Sequence, residues 1–512
     1  METDRLLAID VGLTNVKAVV FDASGGLICR TSVGYPTKRP EPDAVEQDPA
    51  SWWSAMIAAT TALPAEVTRT VTAMGVTGHM HALVCIRADG RPVGPSLVLG
   101  DRRAAPDATE VTRRVGADQI YAITGAELDA SMPAAKVRFL KRRDPSAWAS
   151  VTHLLGCKDY LRLRLTGQLA TEPIDACATS LFDIRAGRWS PDLIDAVEIR
   201  ESMLPPVDSP WSVAGPLLGE AASLLGLRPG LPVVVGAGDD VVVLGFGLLD
   251  PGTALEHIGT TGSVMAVTDR PIGDPQRGLE LYPHALPDRW VVGGSHTTAG
   301  AALAWAADLL GYASVDDALS CLGTRHEAGI SFVPTLAGER FPVRVPEARG
   351  AWVGLPLGVT RQDLMQASFQ GVATTLQAIL ERIDQVAGHQ AVIRAAVADD
   401  ERWLAMRAAS YRRPVEVSTT SEPTALGLAC LVAVAAGTFP DPRAAVSAMT
   451  HVARSVPPGA PTAPPLLDPE PILRRAWKVA SVTDEADQPL VAVGSRSRIP
   501  RSRDERSGEG AA

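Results

Sequence analysis

The chain has 512 residues, 46% of them apolar, 21% charged and 5% aromatic, with a formal net charge of −10. Such a chain is globular and too long for one ordinary core, so two or three domains are expected, with a cleft between two large ones. The negative balance argues against general nucleic-acid binding. No apolar run approaches the ~18 to 20 residues of a membrane-spanning helix, and Met1-Glu-Thr-Asp-Arg5 leads straight into a strand, so a cytoplasmic protein without membrane contact is expected.

In chain order, Leu6 to Val11 and Val16 to Asp22 read as two strands around the tight turn Gly12-Leu-Thr14-Asn15. Glycine lets the backbone approach a ligand, and Thr14, Asn15 and Lys17 offer donors to anionic oxygens. Asp10 closes the first strand with a carboxylate suited to a hydrated magnesium ion or a substrate hydroxyl. Asp48 caps a helix that opens on Pro49 and carries Trp52 and Trp53. The strand Ala73 to Val76 runs into Gly78-His79-Met80-His81, a polar and thioether wall for a binding site, followed by a hairpin from Leu83 to Ile86. Helical patterns span Ala134 to Arg142 and Lys158 to Leu165.

The apolar run Pro232 to Val235 breaks at Gly236-Ala-Gly238 and delivers Asp239 and Asp240. This reads as a buried strand whose glycine turn lifts a carboxylate into a cleft. Gly259-Thr260-Thr261-Gly262-Ser263 follows between two apolar runs as a hairpin loop able to face an anion. It repeats the first turn at a fixed offset, Gly12 with Gly259, Thr14 with Thr261 and Asp22 with Asp269, which implies a duplicated architecture with two phosphate loops. A carboxylate beside phosphate-sized loops points to phosphoryl transfer, without a GxxxxGK[ST] P-loop. The segment before Gly300 opens a helix, Ala301 to Leu310, suited to an anion at its N-terminus. Arg361 to Val386 reads as one long helix, and Ser421-Glu422-Pro423 caps an Ala-rich helix from Thr424 to Ala436. Six scattered cysteines without a CxxC pair read as reduced packing residues, and the basic stretch Arg496 to Arg506 as part of a disordered tail.

These residues together resemble the FGGY family of carbohydrate kinases, nearest its xylulokinase-like members, from about Leu6 to Trp477. Asp10-Val-Gly12-Leu-Thr14-Asn15 resembles the family's phosphate loop, Glu46-Gln-Asp-Pro49 with Trp52 and Trp53 its second motif, and Gly78-His79-Met80-His81-Ala82 its Gly-Gln-Met-His-Gly segment. Lys158-Asp159-Tyr160, Gly236-Ala-Gly238-Asp239, Pro334 to Arg340 and Ala348-Arg-Gly350 follow in the family's order. The resemblance implies an α/β fold of two actin-like, ribonuclease-H-like domains, placed at residues 1–236 and 237–480 with a tail at 481–512. It implies ATP and Mg²⁺ as co-substrate and cofactor, a small sugar as substrate, and leaves room for a homodimer. Asp239 is then the general base and Asp10 the magnesium ligand. Met80, His81, Asp10, Asp240 and Asp101 face the sugar. Gly12, Thr14, Asn15, Lys17, Thr260, Thr261, Gly262, Gly300, Ala396 and Val397 face the nucleotide. At an ordinary carboxyl pKa of ~3.9, Asp239 is expected to be ionised at pH 7 without tuning.

The chain also departs from the family. Leu99-Gly100-Asp101 replaces Trp-Asn-Asp, His79 replaces Gln, and Asp240 stands where Asn is usual. Ala395-Ala396-Val397-Ala398, followed by Asp399-Asp400-Glu401, replaces a glycine run against the adenosine. The added Cβ atoms and acids suggest weak ATP binding, hence the alternative of a catalytically weak or inactive sugar-binding member.

Overall fold

The computed structural model describes residues 4–322, 329–342, 344–345, 348–396 and 400–459. Val397 and the basic stretch Arg496 to Arg506 lie outside the described residues, as does the tail expected at 481–512.

Two mixed sheets organise the chain. The first contains β1 (Arg5–Val11), β2 (Asn15–Asp22), β3 (Leu27–Gly34), β4 (Val71–Gly78), β5 (Val213–Pro216), β6 (Pro232–Val234) and β7 (Ala237–Gly238). Its order is β3-β2-β1-β4-β6-β5, with β7 also on β4. The second contains β8 (Thr253–Ile258), β9 (Gly262–Thr268), β10 (Glu280–Pro283), β11 (Trp290–His296), β12 (Val392–Ala395), β13 (Val415–Ser418) and β14 (Val452–Val456), ordered β10-β11-β9-β8-β12-β13-β14. Read from β3 in one sheet and from β11 in the other, the successive pairings are antiparallel, antiparallel, parallel, parallel, antiparallel in both. The duplication suggested by three residue matches is therefore carried by five strands of each sheet, while the outer antiparallel strand precedes its neighbour in the chain in the first sheet and follows it in the second. The middle strands β1 and β4 are buried on both faces, which is why they read as near-continuous apolar runs.

Helices cover the sheets. Those needed below are α1 (Pro49–Thr61), α2 (Pro133–Arg143), α3 (Cys157–Thr166), α4 (Pro173–Ala178), α5 (Gly300–Leu309), α6 (Arg361–Ala387), α7 (Glu401–Tyr411) and α8 (Pro423–Ala435). Asp48 caps α1 through Ala50 N–H at 2.9 Å, with Pro49 in the first turn. Thr360 and Asp363 form a capping box on α6. α8 is apolar all round and nearly all buried, the mark of a helix inside a core.

The first sheet takes in Ala237–Gly238, past the division expected at 236/237, because β7 completes the parallel edge on β4. α8, late in the chain, packs against β1 and β4 of the first sheet; a Cβ on Gly75 would run into Leu428 and Val432, so glycine admits the helix. Val84–Ile86 turns back on itself as expected, with Arg87 N–H donating to Arg91 O at 2.9 Å and Val93 N–H to Cys85 O at 2.7 Å, and on its other edge it also pairs with His153–Leu155. All six cysteines are free thiols, five of them buried. Among the described residues no helix is long and apolar enough to cross a membrane.

Candidate active site

The two loops meet the description of twin backbone cradles. In the first, Gly12 N–H donates to Asn15 O at 3.0 Å, while Gly12 O accepts from the Tyr35 hydroxyl, Leu13 O from Gln47 Nε2 at 2.8 Å, and Thr14 O from Tyr35 N–H at 3.2 Å. In the second, Gly259 N–H donates to Thr261 O at 2.9 Å, Gly259 O accepts from Gly300 N–H at 2.9 Å, and Thr260 O accepts from Ala299 N–H at 3.0 Å and Ala301 N–H at 3.2 Å. In both, carbonyls are drawn to the back and Thr14, Thr260 and Thr261 stay exposed at the front. Gly300 is required by this arrangement, because a Cβ there would lie inside the Gly259 carbonyl oxygen. The expectation that the N-terminus of α5 receives an anion is corrected: its first amides are consumed by the second loop.

Asp10 ends β1 with Lys17 opposite it on β2. Lys17 Nζ donates to Glu422 Oε2 at 2.8 Å, and Arg30 pairs with the same carboxylate. Glu422 stands at the N-cap of α8 but makes no capping bond with its side chain, contrary to the sequence expectation, because both oxygens are taken by these cations. Burial raises the Asp10 pKa to about 6, against the pull of Lys17 and with the help of Glu422.

A buried ionic network beneath the glycine turn sets the place of Asp239. Lys158 Nζ, on α3, lies 2.7 Å from Asp159, 3.1 Å from Asp175 and 3.5 Å from Glu172. Arg162 bridges Asp159 at 2.7 Å to Val235 O at 2.9 Å. Glu172 caps α4 by accepting from Ile174 N–H (2.6 Å) and Asp175 N–H (2.9 Å), and its Oε1 also accepts from Gly238 N–H at 2.9 Å. One carboxylate thus fixes both a helix start and the residue before Asp239. Gly236, at φ 78°, leaves no room for a Cβ against Val76 O. Gly238 lies so close under Met80 that a Cβ would approach its sulfur to 2.7 Å.

The carboxylates of Asp240, Asp10 and Asp175 lie near enough to Asp239 to raise its pKa. Burial first, then Asp240, Asp10 and Asp175, push Asp239 well above the usual carboxyl range. Burial, then Glu280 and Glu172, raise Asp240 to about 7, and its Oδ2 is buried without a hydrogen-bond partner among the described residues. Burial also raises Asp175 to about 7, against Lys158. The expectation that Asp239 is ionised without tuning is therefore corrected, since desolvation and three like charges disfavour its anion.

The other expected residues are distributed as follows. His81 adopts φ 65° and sets Nδ1 3.1 Å from Ala178 O at the end of α4. His79 is buried, meets Trp52 edge-on at 5.4 Å, and is pushed down to about 3 by burial, so it stays neutral behind the wall. Asp101 is fully buried and bound to Val45 N–H at 2.9 Å and to the Arg103 guanidinium, which binds down both its oxygens. Ala396 follows β12 and packs partly buried against the core. Asp400 caps α7 and pairs with Arg402 at 3.1 Å, and Glu401 pairs with Arg454 at 2.7 Å. Two of the three acids suspected of repelling ATP thus have cationic partners.

Sequence reasoning missed Glu172, Asp175 and the small polar cleft lined by Glu127, Arg277, Glu280, Ser295, Arg340 and Arg344. Arg344 reaches across it to Asp129 and lies 3.7 Å from Glu280, whose charge is felt at Asp240 and His81. Clustered charge in Gly338 to Arg344 was the only available signal.

The chain matches the N-terminal domain of the FGGY family of carbohydrate kinases over residues 5–245 and its C-terminal domain over residues 256–436. It is similar to a xylulose kinase of Escherichia coli (strain K12), 30% identical over 374 residues, covering 72% of this chain and 77% of that protein. It is also similar to a gluconokinase of Bacillus subtilis (strain 168), 25% identical over 449 residues, covering 84% and 87%. A crystal structure of a xyloylose kinase from Brucella ovis superposes with a TM-score of 0.81 at 28% identity, over 93% of this chain and 98% of that one.

Proposed function

The chain belongs to the FGGY family of carbohydrate kinases, and from that premise we propose that it transfers a phosphoryl group from ATP to a hydroxyl of a ketose such as xylulose, or of a related polyol or sugar acid, with Asp239 accepting the proton. The observation that supports this reading is the hydrogen bond from Gly238 N–H to Glu172 just before Asp239, with Asp10 near enough to raise Asp239 and Met80 close against Gly238. A sugar hydroxyl is a weak nucleophile, and a carboxylate within ~3 Å accepts its proton as the new bond to phosphorus forms. A raised pKa makes Asp239 a stronger base once ionised. Thr14, Asn15, Thr260, Thr261 and Gly262 hold phosphate oxygens from the two loops; positioning and neutralisation of charge supply most of the acceleration.

Asp10 fits a magnesium ion arriving with the nucleotide. Mg²⁺ is held by one or two carboxylates together with phosphates and water, and such an ion would offset the charge that Asp10 and Asp240 bring near Asp239. When bound it supplies positive charge to the phosphate oxygens. Lys17, opposite Asp10 and paired with Glu422 at 2.8 Å, brings positive charge next to that carboxylate. The alternative of a catalytically weak sugar-binding member draws no support from the relatives, which carry kinase names.

The test is a coupled ADP-release screen against pentuloses, hexuloses, polyols and aldonates. Sugar-dependent release with at least one of them is expected. ATP turnover that no sugar stimulates would overturn the reading.

A further inference from the structure

We propose that Lys136 is the positioning residue of the sugar wall: its buried side chain clamps three backbone carbonyls and so holds His81 in the conformation that reads a substrate hydroxyl. The inference rests on the reading of His81 as part of that wall. Lys136 lies in α2 and is fully buried. Its Nζ donates to His81 O at 2.7 Å, Val98 O at 3.1 Å and Leu97 O at 3.2 Å. All three ammonium hydrogens are used, and among the described residues none of these partners is a carboxylate. A lone buried ammonium is costly, so three carbonyls aimed at it mark a built site rather than a snorkelling surface lysine.

The carbonyls come from two segments. One is the loop after β4 that carries Met80 and His81; the other is Leu97–Val98, which leads to Asp101. His81 has φ 65°, the left-handed region that a histidine holds only when its surroundings over-determine it. Lys136 grips the carbonyl of that residue, and Ala178 O receives its imidazole at Nδ1. A carbonyl can only accept, so Nδ1 carries the hydrogen. The same ammonium helps to push His81 down to about 4, after burial and against Asp129 and Glu280. The ring is therefore neutral, and Nε2 is left as an acceptor for a sugar O–H. Lys136 thus sets the place and the charge of His81 without touching substrate.

The clamp depends on pH. Burial lowers Lys136 to about 7, against Asp101 and Asp129, while His79 and His81, the other titratable groups facing it, stay neutral well below that pH. Above about pH 7 the amine has two hydrogens for three carbonyls, and the wall loosens.

The experiment compares wild type with Lys136→Met from pH 6 to 9, using the best substrate among xylulose, xylitol and gluconate. In wild type the sugar KM is expected to rise about threefold to tenfold between pH 6.5 and 8.5 with the ATP KM flat; in Lys136→Met it is raised about tenfold or more and no longer depends on pH, with kcat within about threefold. An unchanged sugar KM in the variant, or sugar and ATP constants rising together, would overturn the proposal. If the variant does not fold, the wild-type profile decides, and a sugar KM flat across this range overturns it. Absence of sugar-dependent ADP release from wild type would overturn the kinase reading instead; sugar affinity measured by calorimetry then carries the same comparison, and equal affinity in the variant overturns the clamp.

Discussion

Asp240 shows how the site's chemistry conflicts with its stability. It brings a second carboxylate beside Asp239, with one buried oxygen unpartnered among the described residues and with Glu280 and Glu172 facing it. Its pKa rises on folding from 3.8 to about 7, so between these values the native state holds a proton that the unfolded chain has released. Stability contributed by this group is present below about pH 4 and is lost as pH rises to about 7. Asp240→Asn, which keeps the shape and removes the charge, is therefore expected to stabilise the ligand-free protein by about 1 to 3 kcal/mol at pH 8 and to change little at pH 4. Urea unfolding at the two pH values measures this. Equal effects at both would mean that the charge is not the cause.

At the scale of elements, the twin loops owe their shape to what lies behind them. The second is pinned by the first amides of α5, and Gly300 is the point of closest approach. Gly300→Ala is expected to push Gly259 forward and raise the ATP KM by about tenfold, with the sugar KM within about threefold. Gly219→Ala, where a Cβ meets nothing within 4 Å, serves as the control and is expected to be silent. Steady-state kinetics with each substrate varied in turn distinguishes the cases, and a sugar-only effect of Gly300→Ala would contradict the assignment of this loop. The strand–turn–strand units, the Asp48 cap and the long helix α6 were legible in the sequence because each is decided by residues a few positions apart. The fates of Glu422 and of the α5 amides were not, because each depends on partners from another segment.

Across the whole molecule the halves are interlocked. α8 from the second half lies against the first sheet, Leu281 N–H donates to Gly125 O at 2.9 Å, Tyr121 Oη donates to Leu279 O at 2.8 Å, and Arg344 reaches Asp129. The repeat seen at three residue pairs extends to the sequence of parallel and antiparallel pairings in the two sheets, and Asp10 lies near enough to Asp239 to raise it, with Met80 against Gly238. Glu172 and Lys136 escaped notice for a physical reason. Glu172 acts on a residue 66 positions later, and Lys136 sits in a helical pattern where a lysine ordinarily faces water. The central claim is that Asp239 accepts the proton. It is tested most directly by ADP release from Asp239→Asn with the best sugar of the screen: turnover is expected to fall by about 10² to 10⁴ with the sugar KM within about threefold of wild type. Turnover within about threefold of wild type would contradict the account.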